Sequence, residues 1–147
     1  MTGAKNLLAG LVTGIDHIGI CVGELDARAD LFADLLGLTI AHKECVLPQL
    51  TETAFVDLPD AGATVELIAP MTGNVGLERF LAKRGDALHH VAFAVTDLAQ
   101  ALARLDAAGV PLLDRAPRPG ARGHQVAFLH PRAAGGILVE LVERARH

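Results

Sequence analysis

An internal repeat constrains this chain more than any other feature of its sequence. Residues 17–22 (HIGICV) and 90–95 (HVAFAV) align with an offset of 73 residues. Ala54-Phe55 matches Ala127-Phe128 at the same offset, and residues 65–67 match residues 139–141 at an offset of 74. Separate matches in one register over half the chain indicate a tandem duplication of a single structural unit.

The repeated unit has the predicted order β-α-β-β-β. Residues 15–22 are rich in residues that favour strands and are bounded by glycines, which predicts a strand. Apolar residues at helical spacing then run from Leu25 to Leu36 and from Leu98 to Ala108, which predicts one helix in each copy. Short extended runs follow each helix, at residues 39–45, 53–58 and 64–68 and again at residues 112–114, 125–129 and 137–142. With a short helix around residues 77–83 between the copies, the prediction is an α+β fold. This order excludes a doubly wound dinucleotide-binding fold and a helical bundle.

The length and the apolar content predict one folded domain. The chain has 147 residues, and 51% of them are hydrophobic, which excludes a disordered protein. We divide it into an N-terminal tail, residues 1–14, and a single domain, residues 15–147. In that domain, module 1 covers about residues 15–70, a bridge covers 71–86, and module 2 covers about 87–143.

The charge distribution and the cysteine content limit which partners and which cellular compartment are expected. Thirteen Lys and Arg are scattered among 17 Asp and Glu, so there is no clustered basic face for nucleic acid. No apolar run approaches the roughly 18 residues that span a bilayer, and residues 1–14 lack the pattern of a signal peptide. Cys21 and Cys45 are too few for a disulfide framework and are expected to be reduced, partly buried thiols. We therefore expect a soluble cytoplasmic protein that binds neither nucleic acid nor a membrane.

The repeat also singles out four ionisable residues. His17 and His90 are equivalent positions of the first strand in each copy, and Glu66 and Glu140 are equivalent positions of the last. One such Glu alone is best explained by a solvated face, but two carboxylates and two imidazoles related by the repeat favour a shared metal centre. Nitrogen and oxygen ligands of this kind suit a divalent ion of the Mn, Fe, Co, Ni or Zn series.

The chain resembles the vicinal oxygen chelate (glyoxalase/bleomycin resistance/dioxygenase) superfamily and, within it, the methylmalonyl-CoA epimerase family. The order His, Glu, His, Glu in duplicated units carries the resemblance to the superfamily. The resemblance to the epimerases rests on residues 15–20 (IDHIGI), 35–38 (LLGL), 63–67 (ATVEL), 80–85 (FLAKRG), 88–93 (LHHVAF), 117–120 (PRPG), 126–131 (VAFLHP) and 135–141 (GGILVEL).

This resemblance implies two β-α-β-β-β modules that form an open, mixed-sheet barrel around a metal ion, usually in a homodimer. It places the metal ligands at His17, Glu66, His90 and Glu140, and it implies that Glu140 also acts as a base. The implied reaction moves the C2 proton of methylmalonyl-CoA, or of a similar acyl-CoA thioester, through a metal-stabilised enolate. A glyoxalase I-type lactoylglutathione lyase and a non-catalytic ligand-binding member of the superfamily are the alternatives.

The second acid/base group of such an epimerase is not evident in this sequence. Several members of the family place a Glu four residues after the Gln that aligns with Gln49, and this chain has Thr53 there. Glu52 is one residue away, so a bulge would have to turn it inward. We take Glu52 as the expected catalytic base, with Glu44 as the alternative.

The remaining candidate residues are arginines and histidines. Arg118 and Arg122 lie in a glycine-rich loop and are candidates to bind CoA phosphates, with a solvated surface role as the alternative. His89 is expected to face away from the metal because side chains alternate along a strand. Three further histidines have no partner in the repeat and no assigned role: His124, His130 and His147.

Overall fold

The computed structural model describes residues 5–59 and 62–146. This part of the chain contains eight strands and three α-helices. In chain order they are β1 Val12–Cys21, α1 Leu25–Leu36, β2 Thr39–Val46, β3 Thr51–Asp57, β4 Thr64–Pro70, α2 Val75–Arg84, β5 Ala87–Val95, α3 Leu98–Ala107, β6 Arg118–Pro119, β7 Gln125–Phe128 and β8 Val139–Glu143. Within the described ranges, no helix combines the length and the apolar character that crossing a bilayer requires. The order confirms the predicted α+β class and the repeated β-α-β-β-β unit, with α2 between the copies.

The described residues divide into two compact units. One unit runs from His17 to His89, and the other combines the residues before His17 with those after His89. β1 therefore contributes its first half to one unit and its second half to the other.

The His17–His89 unit is a sheet with the strand order β2-β3-β4-β1. β1 is parallel to β4, whereas β3 is antiparallel to both of its neighbours. α1 covers one face of this sheet, where Ala29 packs with a buried cluster that includes Val56 and Leu67. The helix ends at Gly37, whose left-handed conformation (φ 66°) lets its N–H donate to the Ala33 carbonyl at 2.8 Å. The other face of the sheet carries the polar side chains described below.

The other unit has the strand order β5-β8-β7-β6, with β5 parallel to β8. α3 packs on it through an apolar face, and its buried residues Leu98 and Leu102 cluster with Leu141 of β8. Asp97 caps the helix, since its side chain accepts a hydrogen bond from the Gln100 N–H at 2.9 Å. The local sequence and the packing thus agree on where α3 begins.

The segment before β1 belongs to the α3 core. Leu11 is buried there, and Leu7 packs against the same cluster. The Arg104 guanidinium of α3 also donates to the carbonyl oxygens of Leu7 and Ala9, at 3.4 and 3.3 Å. Residues 1–4 of the predicted tail lie outside the described residues, and β1 already begins within that tail, at Val12.

One predicted strand of the second copy is wrong. Residues 112–114 are predicted to be extended, but Leu112 forms only an isolated bridge with Leu129. The Asp114 carboxylate accepts a hydrogen bond from the Phe128 N–H at 2.9 Å, so a side chain takes the place of a backbone partner. The short strand that pairs with β7 is instead β6, at Arg118–Pro119.

Candidate active site

β1 and β4 bring a histidine and a glutamate together in the His17–His89 unit. Gly19 pairs with Glu66 across the parallel ladder, so the carboxylate lies beside a residue that has no side chain and reaches His17. His17 Nε2 and Glu66 Oε2 are 3.5 Å apart, and the two residues are 4% and 8% exposed. Phe55, directly opposite Glu66 on β3, packs edge-on against the His17 ring with the centroids 6.3 Å apart.

β5 and β8 form the equivalent arrangement in the other unit. Ala92 pairs with Glu140, and His90 Nε2 lies 3.2 Å from Glu140 Oε1. The two residues are 7% and 5% exposed. Phe128 is directly opposite Glu140 on β7 and packs edge-on against the His90 ring at a centroid distance of 5.5 Å.

The two phenylalanines are site residues that were not assigned from the sequence. The 73-residue offset links Phe55 to Phe128, as it links His17 to His90. Nothing in the sequence alone reveals that each ring contacts the histidine of its own unit, because that contact depends on strand pairing. The shared offset is the signal by which they are recognisable as part of the site.

The donor atoms of each pair have the spacing of two ligands of one ion. Ligand atoms about 2.1 Å from a metal are about 3.0–3.4 Å apart at right or tetrahedral angles. The separations of 3.2 Å between His90 and Glu140 and 3.5 Å between His17 and Glu66 are close to this range. A carboxylate is costly to bury without compensating charge, so each pair is suited to hold a cation.

Glu52 does not lie on the face of the sheet that carries the His–Glu pair of its unit. We call that side, which bears His17, Glu66 and Phe55, the ligand face. Thr53 is buried on the ligand face, whereas Glu52 is exposed on the opposite face, where it pairs with Cys45. The described register of β3 with β2 and β4 has no shift at Glu52, so no bulge turns this side chain inward.

Arg118 and Arg122 both belong to the loop in which the sequence places them. Arg118 Nε is 3.0 Å from Asp114 Oδ1, so this arginine forms an ion pair within its own unit. Arg122 adopts a left-handed conformation, with φ 59°. The turn is tight, since a Cβ on Gly120 would come within 2.7 Å of Val126 Cγ1. A larger residue at position 120, between the two arginines, would therefore force the Val126 side chain to shift.

The other described histidines make local contacts. His89 packs edge-on against Phe80 at a centroid distance of 4.9 Å. His124 Nδ1 accepts a hydrogen bond from the Ala145 N–H at 2.8 Å, and His130 Nδ1 accepts one from the Arg132 N–H at 3.1 Å. These contacts stabilise turns and strand ends. His147 lies outside the described residues.

The two free cysteines differ in exposure. Cys21 is buried and Cys45 is exposed, so the expectation that both are partly buried is wrong for each. Burial, together with a smaller effect of the negative charge of Asp86, raises the pKa of the Cys21 thiol from 9.0 to about 11. The thiolate is the reactive form, so Cys21 is protected both by its burial and by its protonation near neutral pH.

We therefore expect one fast-reacting thiol in the native protein. With 5,5′-dithiobis(2-nitrobenzoic acid) at about pH 8, Cys45 should react first and Cys21 only after unfolding. A Cys45→Ser variant should show no fast phase. Two thiols that react at equal rates in the folded protein would contradict this assignment.

Comparison with known proteins agrees with the resemblance in the sequence. The family model described as the Glyoxalase/Bleomycin resistance protein/Dioxygenase superfamily matches residues 16–128. The uncharacterized protein YqjC of Bacillus subtilis is 41% identical over 130 residues, which are 88% of this chain and 91% of that protein.

Solved structures give the same result. The crystal structure of methylmalonyl-CoA epimerase from Mycobacterium tuberculosis matches with a TM-score of 0.89 and 37% identity, over 94% of this chain and 92% of that one. A variant of the Streptomyces coelicolor methylmalonyl-CoA epimerase in complex with 2-nitronate-propionyl-CoA matches with a TM-score of 0.84 and 34% identity, over 91% and 96%. On this evidence, the chain belongs to the glyoxalase/bleomycin resistance protein/dioxygenase superfamily.

Proposed function

We propose that this chain is a metal-dependent epimerase that moves the C2 proton of methylmalonyl-CoA or of a similar acyl-CoA thioester. The observation that supports this most is the occurrence of equivalent buried His–Glu pairs, one in each unit. The neighbouring solved structures are named methylmalonyl-CoA epimerases, and one of them holds an acyl-CoA ligand. Proton transfer beside a thioester carbonyl is the reaction that both observations support.

The metal ligands in this proposal are His17, Glu66, His90 and Glu140. The spacing within each pair and the nitrogen and oxygen donors suit a divalent ion such as Co, Mn, Ni, Zn or Fe. When bound, such an ion supplies Lewis-acid stabilisation of the negative charge that develops on the substrate oxygens. The small residues beside the pairs, Gly19 and Ala92, leave room for ligands.

The protein side chains carry the proton. Removal of the C2 proton moves an electron pair onto the thioester oxygen, and inversion needs a proton donor for the other face of the planar intermediate. We propose Glu140 as one of the two groups, because it is buried and its carboxylate lies beside the His90 ring. The chain has no Tyr, so no phenol is available as the general acid.

We propose that Arg118 and Arg122 bind the phosphates of the CoA moiety. Both carry a permanent positive charge and flank Gly120 in one tight turn. The ion pair of Arg118 with Asp114 is formed at Nε, and a guanidinium has five N–H donors with which to bind a phosphate.

We also propose that the enzyme is a cytoplasmic homodimer. The dimer is what the family resemblance implies, and large apolar side chains such as Leu35, Leu36 and Leu88 are exposed in the single chain. Two free thiols are typical of a reducing compartment.

Deuterium exchange tests the proposed reaction directly. Metal-loaded protein is incubated with methylmalonyl-CoA in D₂O, and deuterium at C2 is followed by NMR or mass spectrometry. Methylglyoxal with glutathione is the parallel assay for a glyoxalase. We expect enzyme-dependent exchange at C2 and no thioester formation from methylglyoxal.

The two assays separate the alternatives. Thioester formation without C2 exchange would overturn the epimerase assignment in favour of a glyoxalase I-type lyase. Inactivity in both assays, with metal bound, would instead favour a ligand-binding member of the superfamily.

A further inference from the structure

A β-bulge in β2 decides which of its side chains lie on the ligand face. β2 pairs with β3 as Ile40 to Val56 before the bulge and as His42 to Phe55 after it. Side chains alternate along a strand, so one extra residue reverses the faces of all residues that follow. His42 and Glu44 therefore lie on the ligand face. Bulges of this kind are over-represented next to active sites, where they redirect a side chain.

Glu44 lies directly opposite the position at which the sequence departs from the family. It pairs with Thr53 on β3, and Thr53 pairs with Ile68 on β4, two residues from the proposed ligand Glu66. Neighbouring strands are about 4.8 Å apart, so the Glu44 backbone is about 10 Å from β4. A substrate held beside Glu66 is therefore within reach of the Glu44 carboxylate.

Few other ionisable groups of β1 to β4 share this face. Apart from the proposed ligands, the described strand residues of the unit place four there: Cys21, His42, Glu44 and Asp57. Cys21 is a buried thiol that stays protonated. Asp57 is exposed at the far end of β3, four residues or about 13 Å from Thr53. Glu44 is the carboxylate of this face that lies directly beside Thr53, the position where family members carry a glutamate.

The surroundings of Glu44 hold its side chain and leave it in contact with solvent. His42 Nε2 and Glu44 Oε1 form a hydrogen bond of 2.7 Å, and the two side chains are 42% and 29% exposed. The Thr53 hydroxyl donates to the Glu44 carbonyl at 3.2 Å, and the His42 ring packs on Phe55 at a centroid distance of 6.1 Å. A partly exposed carboxylate in a defined position has what an acid/base group needs, namely orientation and proton exchange with water.

We propose that Glu44 is the second acid/base group of the epimerase, in the role that the sequence assigns to Glu52. This inference rests on the proposed function. When Glu44 acts as the base, the C2–H bond breaks, the proton moves to the Glu44 carboxylate, and the electron pair moves onto the thioester oxygen. The pair then returns to C2 and forms a new C–H bond with a proton held by Glu140, which inverts the centre. In the reverse direction the two carboxylates exchange roles.

A Glu44→Gln variant separates exchange from inversion. We expect the interconversion of (R)- and (S)-methylmalonyl-CoA to fall by at least about 100-fold, the usual contribution of a general acid or base. Deuterium should still enter C2 of the epimer that Glu140 deprotonates, because one base can remove and return a proton on the same face. Metal content and calorimetric binding of methylmalonyl-CoA should match the wild type, since the amide keeps the size of the side chain.

Two further variants complete the test. Asp57→Asn removes a carboxylate from the same face and is expected to leave the rate within about twofold, as for most surface substitutions. Glu52→Gln tests the competing assignment on the opposite face. Inversion by Glu44→Gln at the wild-type rate, or loss of exchange from both epimers with metal and substrate still bound, would overturn the proposal. If wild-type protein exchanges neither epimer, the proposed function itself fails, which is a distinguishable outcome.

Discussion

Replacing His90 with alanine is expected to abolish stoichiometric metal binding and, with it, turnover of methylmalonyl-CoA. His90 is buried on β5, and its Nε2 is 3.2 Å from Glu140 Oε1, so the change removes a proposed ligand at the centre of one pair. Loss of a group that merely supports a ligand costs about 10–100-fold in metal affinity, so loss of the ligand itself should cost at least about 100-fold. Elemental analysis after dialysis and calorimetric titration with the metal measure this effect.

His89→Ala is the matched control for that experiment. His89 is the neighbouring residue, and its ring packs on Phe80, so the variant should keep its metal. His17→Ala removes the equivalent ligand of the other unit and should lose metal as His90→Ala does. Circular dichroism establishes that each variant is folded. A folded His90→Ala protein with stoichiometric metal would show that the ligand assignment is wrong.

Glu140→Gln is expected to lower the rate of epimerisation by about 10²–10⁴-fold, the range that general acid/base groups contribute. An amide keeps the shape of the side chain and an oxygen donor, but it cannot accept the C2 proton. The carboxylate is buried beside His90. Rates are measured from each epimer separately, together with C2 deuterium incorporation and metal content.

Glu66→Gln provides the same chemical change at the position that the repeat makes equivalent. Glu66 is proposed to act only as a ligand, and an amide at this position keeps an oxygen donor for the metal. We therefore expect a far smaller loss of rate than for Glu140→Gln, with the metal retained. Equal losses in the two variants would contradict a separate proton-transfer role for Glu140.

The His–Glu pairs of the structure consist of the four residues that the repeat singles out in the sequence. Offsets of 73 and 74 residues relate His17 to His90 and Glu66 to Glu140. In the structure, each histidine lies beside the glutamate of its own copy. Each histidine meets its glutamate because the first and last strands of each copy are adjacent and parallel. Residues at the same level of these adjacent strands are then neighbours, because no bulge interrupts their pairing.

The sequence leaves the second carboxylate open between Glu52 and Glu44. Side chains alternate along β3, so Glu52 lies on the face opposite to its neighbour Thr53. Only a bulge in one of the strands brings a carboxylate to the ligand face beside Thr53. The bulge lies in β2, between Ile40 and His42, and it turns Glu44 towards the ligand face. A bulge depends on the hydrogen bonds between two strands, so the residue pattern within one strand does not predict it.

The sequence by itself determines the duplicated β-α-β-β-β order and the four residues proposed as ligands. Both follow from patterns that are visible in the order of residues alone, namely the repeat offset, helical spacing and strand alternation. Only the tertiary structure decides that Phe55 and Phe128 flank the histidines and that Glu44, not Glu52, shares the ligand face. These facts depend on the register between strands, and a shift of a single residue in that register moves every following side chain to the other face.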